Sequence, residues 1–392
     1  MVSTKTGVHF LAAVVMILGA SCSSPKPEPH GAPEFYDLSV YEEAKVGDIL
    51  EVAEVVPLLF ERDTYPKAAG FMSFLDGNII VEYPENSDHV FSSDGHYIGC
   101  SESMKGQGPG EHVMLLGHVV NPFSHTIDVL GISNMYSYDP EFTNSLRVSD
   151  LPTIVGSADK WLFDSGIALS ETKYLLHSSI VTNPYQVTLY DAEQGKALNK
   201  WSYADDIITY FSGARQKLFR MPDGEILITA EGYSPYIYGV DSEGRDMYKA
   251  IELKYGDKII TDHVTLDDFR KNHDIAKQYY ENPDIEIPIQ QIVNSKKIIT
   301  VIRNGIDFYK DKYVLITDRE DSRTYKIEIM DDSGILPPAV HAIDESYLYY
   351  IVDADYILEN RSVLLNKTDE ADSLLRNHDE DDLFLIKYRF KK

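Results

Sequence analysis

Apolar and polar residues alternate along most of this chain in short runs, among them Asn78-Ile-Ile-Val-Glu-Tyr83, His96-Tyr-Ile-Gly-Cys100, Glu225-Ile-Leu-Ile-Thr229 and Tyr236-Ile-Tyr-Gly-Val240. A period of two predicts strands with one face buried. Asp-Gly or Asp-x-x-Gly between such runs predicts antiparallel hairpins, because Gly accepts the positive φ of tight turns and Asp bonds its own backbone. Turn signals of this kind follow alternating runs at Asp94-Gly95, Asp139-Pro140, Asp191 to Gly195, Asp241 to Gly244 and Asp331 to Gly334, with first residues 45, 52, 50 and 90 apart. Periods of forty to fifty residues made of strands and turns point to β-propeller blades. A second turn stands 18 residues earlier in two units, at Asp76-Gly77 before Asp94 and at Asp223-Gly224 before Asp241. Each unit therefore reads as four strands.

Six units are expected, at 68–101, 113–147, 160–202, 217–253, 297–335 and 338–390. The last unit is short of a continuous strand set, whereas the apolar run Ile49 to Leu59 has no unit of its own. An N-terminal strand lent to the sheet containing Leu383 to Phe390 solves both problems and removes open edges. The long interval before Asp331 contains another period. Thr265-Leu-Asp-Asp268 resembles a capping box, and Leu266, Phe269, His273, Ala276 and Tyr280 recur every three or four residues, predicting a helix near 265–281 that stops before Asn282-Pro283. A helical insertion favours six blades over seven. The fold expected is thus an all-β, six-bladed propeller of four-stranded antiparallel blades with one helical insertion.

With 392 residues and 43% hydrophobic content, the chain can bury a large core. Tyrosine, at 27 residues, suits half-buried strands. A formal charge of -27 repels a phosphate backbone, so nucleic acid is excluded as an expected partner. Acidity of this degree serves chiefly solubility.

Lys5, the apolar run Phe10 to Leu18 and the small residues Gly19, Ala20 and Ser21 have the layout of an export signal, too short to span a bilayer as a helix. Leu18-Gly-Ala-Ser-Cys22 resembles a bacterial lipobox, with leucine four residues before the cysteine. The expectation is a signal peptide over 1–21, lipid on Cys22 as the membrane anchor, a proline-rich tether over 22–34 and the propeller over 35–392. Only Cys22 and Cys100 occur, so lipidation leaves no intrachain disulfide, and Cys100 reads as a small buried residue rather than a nucleophile.

Lys105-Gly-Gln-Gly-Pro-Gly-Glu111 lacks both the Gly-x-Gly-x-x-Gly of a dinucleotide loop and the Lys-Ser or Lys-Thr of a phosphate loop. Its glycines fit a sharp turn better than an anion nest. After the Phe91 to Gly95 hairpin, this segment resembles the signature of the six-bladed β-propeller lipoproteins of Bacteroidetes, similar in fold to NHL and TolB-like propellers. The resemblance covers nearly the whole chain and implies architecture and export to the outer membrane, facing the periplasm or the surface. It implies no reaction.

Both the glycine segment and the helical insertion should join the outer strand of one blade to the inner strand of the next, which places them at one mouth of the central channel. Lys105, Gln107, Glu111, Phe269 and Tyr280 are the ligand-binding candidates there. No His-Glu-x-x-His, Gly-x-Ser-x-Gly or cysteine metal cluster is present. Asp353, Asp355 and Glu359 lack the spacing of a calcium loop, and His378 to Asp382 reads as an exposed acidic loop. The expected role is non-catalytic binding of a glycan, peptide or envelope protein, without a cofactor. The alternative is a hydrolase, lyase or lactonase acting on carbohydrate-type substrates through carboxylates, histidine or a divalent cation, which requires several Asp, Glu or His side chains converging in the channel. A third role is that of a structural subunit in a larger envelope complex.

Overall fold

A computed structural model describes residues 31–60, 70–83, 87–152, 162–179, 185–203, 216–230, 234–256, 286–304, 311–331, 334–337, 340–364 and 382–391. Residues 32–392 form one compact unit.

Three N-terminal strands, β1 (Glu34–Asp37), β2 (Glu42–Ala44) and β3 (Leu50–Leu58), precede the first blade. Blade 1 is β4 (Met72–Leu75), β5 (Asn78–Tyr83), β6 (Ser87–Phe91) and β7 (Tyr97–Cys100). Blade 2 is β8 (Gly117–Asn121), β9 (Thr126–Leu130), β10 (Asn134–Tyr138) and β11 (Ser145–Asp150). Blade 3 is β12 (Ser165–Ala168), β13 (Lys173–His177), β14 (Val187–Asp191) and β15 (Lys196–Trp201). Blade 4 is β16 (Leu218–Arg220), β17 (Ile226–Thr229), β18 (Tyr236–Val240) and β19 (Met247–Lys254). Blade 5 is β20 (Glu286–Val293), β21 (Lys297–Asn304), β22 (Asp311–Asp318) and β23 (Thr324–Glu328). A two-residue pair, β24 (Met330–Asp331) and β25 (Gly334–Ile335), leads to blade 6, formed by β26 (Ala342–Ile343), β27 (Tyr347–Asp353), β28 (Leu383–Phe390) and, from the other end of the chain, β3.

The expected closure is present: β3 lies antiparallel to β28 from Leu58 opposite Leu383 to Leu50 opposite Phe390. The N-terminal segment also covers two more sheets, since β1 pairs parallel with β19 and β2 parallel with β23. It thus runs along the outer edges of blades 4, 5 and 6 in turn, satisfying edge groups that would otherwise invite another chain. Such short polar strands carry no alternation from which pairing could be read.

Blade 5 begins earlier than expected, at Glu286 rather than 297, and its β20 is buried along its whole length. Asp331 to Gly334 is not a turn within a blade; it sits in the connection between blades 5 and 6. The outer hairpin of blade 5 turns instead after Asp318, where Ser322 takes φ 61 without a glycine. The expected helix near 265–281 lies outside the described residues. Asp353 caps a short helix, Ala354–Glu359, by accepting from the Tyr356 N–H at 2.8 Å. That explains its place ahead of Asp355 and Glu359 without calcium.

Apolar layers fill the spaces between blades. Between blades 1 and 2, Leu75, Ile80 and Val90 meet Ile127, Val129 and Tyr138. Between blades 6 and 1, Met72, Ile79 and Val81 meet Val56, Tyr349 and Leu385. Strand polarity divides the connections by face. Hairpin turns joining the first to second strands of all six blades, and the third to fourth strands of blades 1 to 5, lie on one side, including Asp76-Gly77, Asp139 to Asn144 and Asp241 to Arg245. On the other side, where the long connections leave and re-enter the sheets, the outer strands of blades 1 to 5 end, at Cys100, Asp150, Trp201, Lys254 and Glu328, and the next inner strands begin, at Gly117, Ser165, Leu218, Glu286 and Ala342.

Candidate functional site

The glycine segment is closed by its own carboxylate. Gly108 N–H donates to Glu111 Oε2 at 2.7 Å, Gly106 N–H to the His112 carbonyl at 3.0 Å and His112 N–H to the Met104 carbonyl at 3.0 Å. A side chain at Gly106 would strike the Glu111 carboxylate, and Gly110 has φ +83. Lys105 and Gln107 are exposed. The loop rests on the outer pair of blade 2, where Tyr138 donates to the Gly110 carbonyl at 2.9 Å and Ser103 to the Phe142 carbonyl at 2.9 Å. Phe269, Tyr280 and Cys22 lie outside the described residues. Cys100 is partly buried beside His89, and burial pushes its thiol up to about 11, which leaves it protonated at neutral pH.

Charged residues gather elsewhere. Ser73 shares its strand face with Leu75, Glu82 with Ile80, Asp88 with Val90 and His118 with Val120, and all four apolar residues belong to the layer between blades 1 and 2. The alternation that buries the apolar members therefore buries the polar ones two positions away. Strand directions put these polar members at the end of the layer nearest the long connections. His118 is 2%, Asp88 0% and Glu82 8% exposed, and Ser73 is partly exposed.

His118 is held on three sides. Its Nδ1 lies 2.8 Å from Asp88 Oδ1, its Nε2 lies 2.7 Å from Ser73 Oγ, and the Phe71 ring stands 5.0 Å from its own. A carboxylate only accepts, so Nδ1 is the donor to Asp88; in the neutral ring Nε2 is then the acceptor and Ser73 donates. Burial disfavours the charged ring, but Asp88, with Glu82 behind it, outweighs that and raises the His118 pKa. Asp88 N–H is satisfied by Ser101 Oγ at 2.8 Å, whereas Asp88 Oδ2 is buried without a hydrogen-bond partner among the described residues. Ligand atoms of Glu82, Asp88 and His118 lie within 4.8 Å of one another, a spacing a divalent cation could bridge. Both nitrogens of His118 are already engaged, so a cation must first displace Ser73 or Asp88.

A second group lies at the same end of blade 3. Asp164 faces His177 Nδ1 at 3.5 Å and accepts the Ser179 N–H at 3.0 Å, while Ser165 Oγ lies 3.4 Å from His177 Nδ1. Burial works against the Asp164 charge, yet His177 and Ser179 hold its carboxyl below the ordinary range. On the hairpin-turn side, an open cavity of about 610 Å³ is lined by Glu34, Tyr36, Lys296 and Arg319, and there Glu34 pairs with Arg319 at 2.9 Å.

A six-bladed β-propeller family model matches residues 27–335. The chain belongs to the DUF5128 family of six-bladed β-propellers. The propeller is similar to a protein of Bacteroides fragilis assigned as exported, with TM-score 0.65 and 15% identity over 91% of this chain and 100% of that one. It is also similar to a DUF4221-family member from Bacteroides vulgatus, with TM-score 0.53 and 11% identity over 88% of this chain and 99% of that one. At these identities the likeness is one of fold. No curated protein matches the propeller.

None of Ser73, Glu82, Asp88 or His118 stands out by motif. The signal available was narrower: each is polar at a position where the alternation of its strand calls for an apolar residue.

Proposed function

We propose that this propeller is exported, tethered to the envelope through lipid on Cys22, and takes its ligand on the face of the long connections, at the inner-strand ends of blades 1 to 3. The observation that carries this reading is the one-sided placement of Ser73, Glu82, Asp88, His118, Asp164 and His177. Burying such groups is costly, and here they cluster on the side where the long connections leave the sheets. Glycans, peptides and envelope proteins all present the donors and acceptors that such groups recognise. Lys105 and Gln107, exposed on the neighbouring glycine loop, are available as peripheral contacts.

A glycan and peptide binding screen with the full chain tests the proposal. Asp164→Asn should weaken the affinity for any ligand found at least tenfold, whereas Asp223→Asn on the opposite face leaves it within twofold. Equal sensitivity of the two faces would count against the site. For the anchor, mass spectrometry of the mature N-terminus should find lipid on Cys22; an unmodified thiol removes it. A second reading, turnover of the bound ligand, is favoured by the hydrogen-bonded chain from Ser73 to Asp88.

A further inference from the structure

We propose that Ser73 is the nucleophile of an acyl-transfer site, with His118 as its general base and Asp88 as the residue that orients His118, and that the ligand of the long-connection face is a carboxylic ester. This rests on the proposed location of the ligand site and adds a reaction to it.

Geometry is the ground for the assignment. The Ser73 hydroxyl reaches Nε2 at 2.7 Å while Asp88 holds Nδ1 at 2.8 Å, so the serine meets the basic nitrogen and the carboxylate fixes the tautomer. Asp88 is fully buried and Ser73 partly exposed, the gradient a serine relay needs. The group at blade 3 lacks this order. There Ser165 approaches Nδ1, the same nitrogen that faces Asp164, and Nε2 is occupied by the Tyr203 hydroxyl.

The strand supplies a donor for the developing negative charge. Glu82 N–H bonds the Phe71 carbonyl, and Ser73 lies opposite Ile80 in the same antiparallel register. Hydrogen-bonded pairs alternate, so Phe71, Ser73 and Leu75 turn their backbone groups to β5, and the N–H groups of Met72 and Phe74 point away from it. β4 is the edge strand of its sheet, at the channel. The N–H of Phe74, the residue after the nucleophile, therefore points toward the channel, where a carbonyl oxygen can meet it.

In the reaction, Ser73 Oγ bonds to the ester carbonyl carbon as its proton passes to His118 Nε2. The tetrahedral adduct collapses, the bond to the alcohol oxygen breaks, and the alcohol leaves with the proton from Nε2. Water then adds to the acyl-Ser73 carbonyl, giving a proton to Nε2; the acid departs and the proton returns to Oγ. No oxidant or reductant is required. An ester suits this site better than an amide, because an alcohol leaves more readily than an amine.

The test is reaction of the full chain with a fluorophosphonate probe, followed by peptide mapping. The expected result is one adduct, on Ser73, lost in Ser73→Ala and retained in Ser165→Ala. p-Nitrophenyl acetate should release one equivalent of p-nitrophenolate in an initial burst, and Asp88→Asn should slow that burst at least 100-fold. Mapping on the unsubstituted protein decides the matter even where a variant does not fold. An unlabelled Ser73, or ester turnover that persists in Ser73→Ala and is abolished by EDTA, overturns the proposal; the latter assigns Glu82, Asp88 and His118 to a cation. Ligand binding that survives without any Ser73 adduct overturns the chemistry and leaves the binding site standing.

Discussion

At the scale of the residue, the hairpin glycines divide by what surrounds them. Gly77 and Gly95 have nearly the same backbone, φ +86 and φ +87, but a Cβ on Gly77 meets nothing within 4 Å, whereas one on Gly95 falls onto the Pro57 carbonyl of the closing strand. Leu59 N–H also donates to the Gly95 carbonyl at 2.9 Å. Gly77→Ala should therefore cost about 1 kcal/mol, the strain of a positive φ alone. Gly95→Ala should cost about 3 kcal/mol or more, because backbone must move as well. Denaturant unfolding of the two variants checks the difference, and equal costs would mean that the closing strand does not press on this turn.

Asp-Gly at both positions was legible as a turn, but the contact with Pro57 was not, since it forms only when β3 joins blade 6 and blade 6 packs beside blade 1. The same holds for Ser73, Asp88 and His118. Each sits in an ordinary strand of the sequence, and only the meeting of two blades brings them within hydrogen-bond distance.

At the scale of the element, the turn aspartates explain why the period of the chain was readable. Asp139 accepts from Thr143 N–H, Thr143 Oγ1 and Asn144 Nδ2, each at 2.7 Å, and Asp241 accepts from the backbone of Glu243 and Arg245 at 3.0 Å. Partial burial works against their charges, but these donors hold both carboxyls, and that of Asp318 beside Lys297, below the usual range. A depressed folded pKa means that the unfolded chain takes up protons first. The stabilisation is complete above the ordinary value of about 3.8 and is lost as pH falls through the folded values. Stability should therefore drop below about pH 4. Asp139→Ala should cost about 1 kcal/mol at pH 7 and flatten the acid side of the stability profile. Urea midpoints measured between pH 2 and pH 7 test this; an unchanged acid slope would show that the turns carry none of it.

Blade 5 shows where turn chemistry misled. Its outer hairpin uses Ser322 in place of glycine, and the nearest Asp-to-Gly signal belongs to a connection between blades. The expected unit therefore started one strand late.

At the scale of the whole molecule, the N-terminal segment closes the ring. β3 contributes nine residues to blade 6, whereas β1 and β2 contribute four and three to sheets that already have four strands. Ion pairs accompany the pairing, Lys387 with Glu54 at 2.6 Å and Arg319 with Glu34 at 2.9 Å. Removing residues 1–45 should lower the melting temperature by several degrees and leave a monomeric propeller. Removing residues 1–60 should expose β28 as an edge and produce aggregation or loss of cooperative unfolding. Size-exclusion chromatography and calorimetry distinguish these outcomes, and a stable monomer lacking residues 1–60 would refute closure by β3 as the source of stability.

The sequence by itself determined the repeating architecture, six blades and a closing N-terminal strand, because alternation, turn residues and spacing are local properties that a linear text preserves. It also determined that no familiar catalytic motif runs along the chain. Tertiary structure alone decided which polar residues meet. The relay from Ser73 through His118 to Asp88 draws on three strands of two blades, and its distances depend on how one sheet packs on the next, which no spacing in the chain encodes.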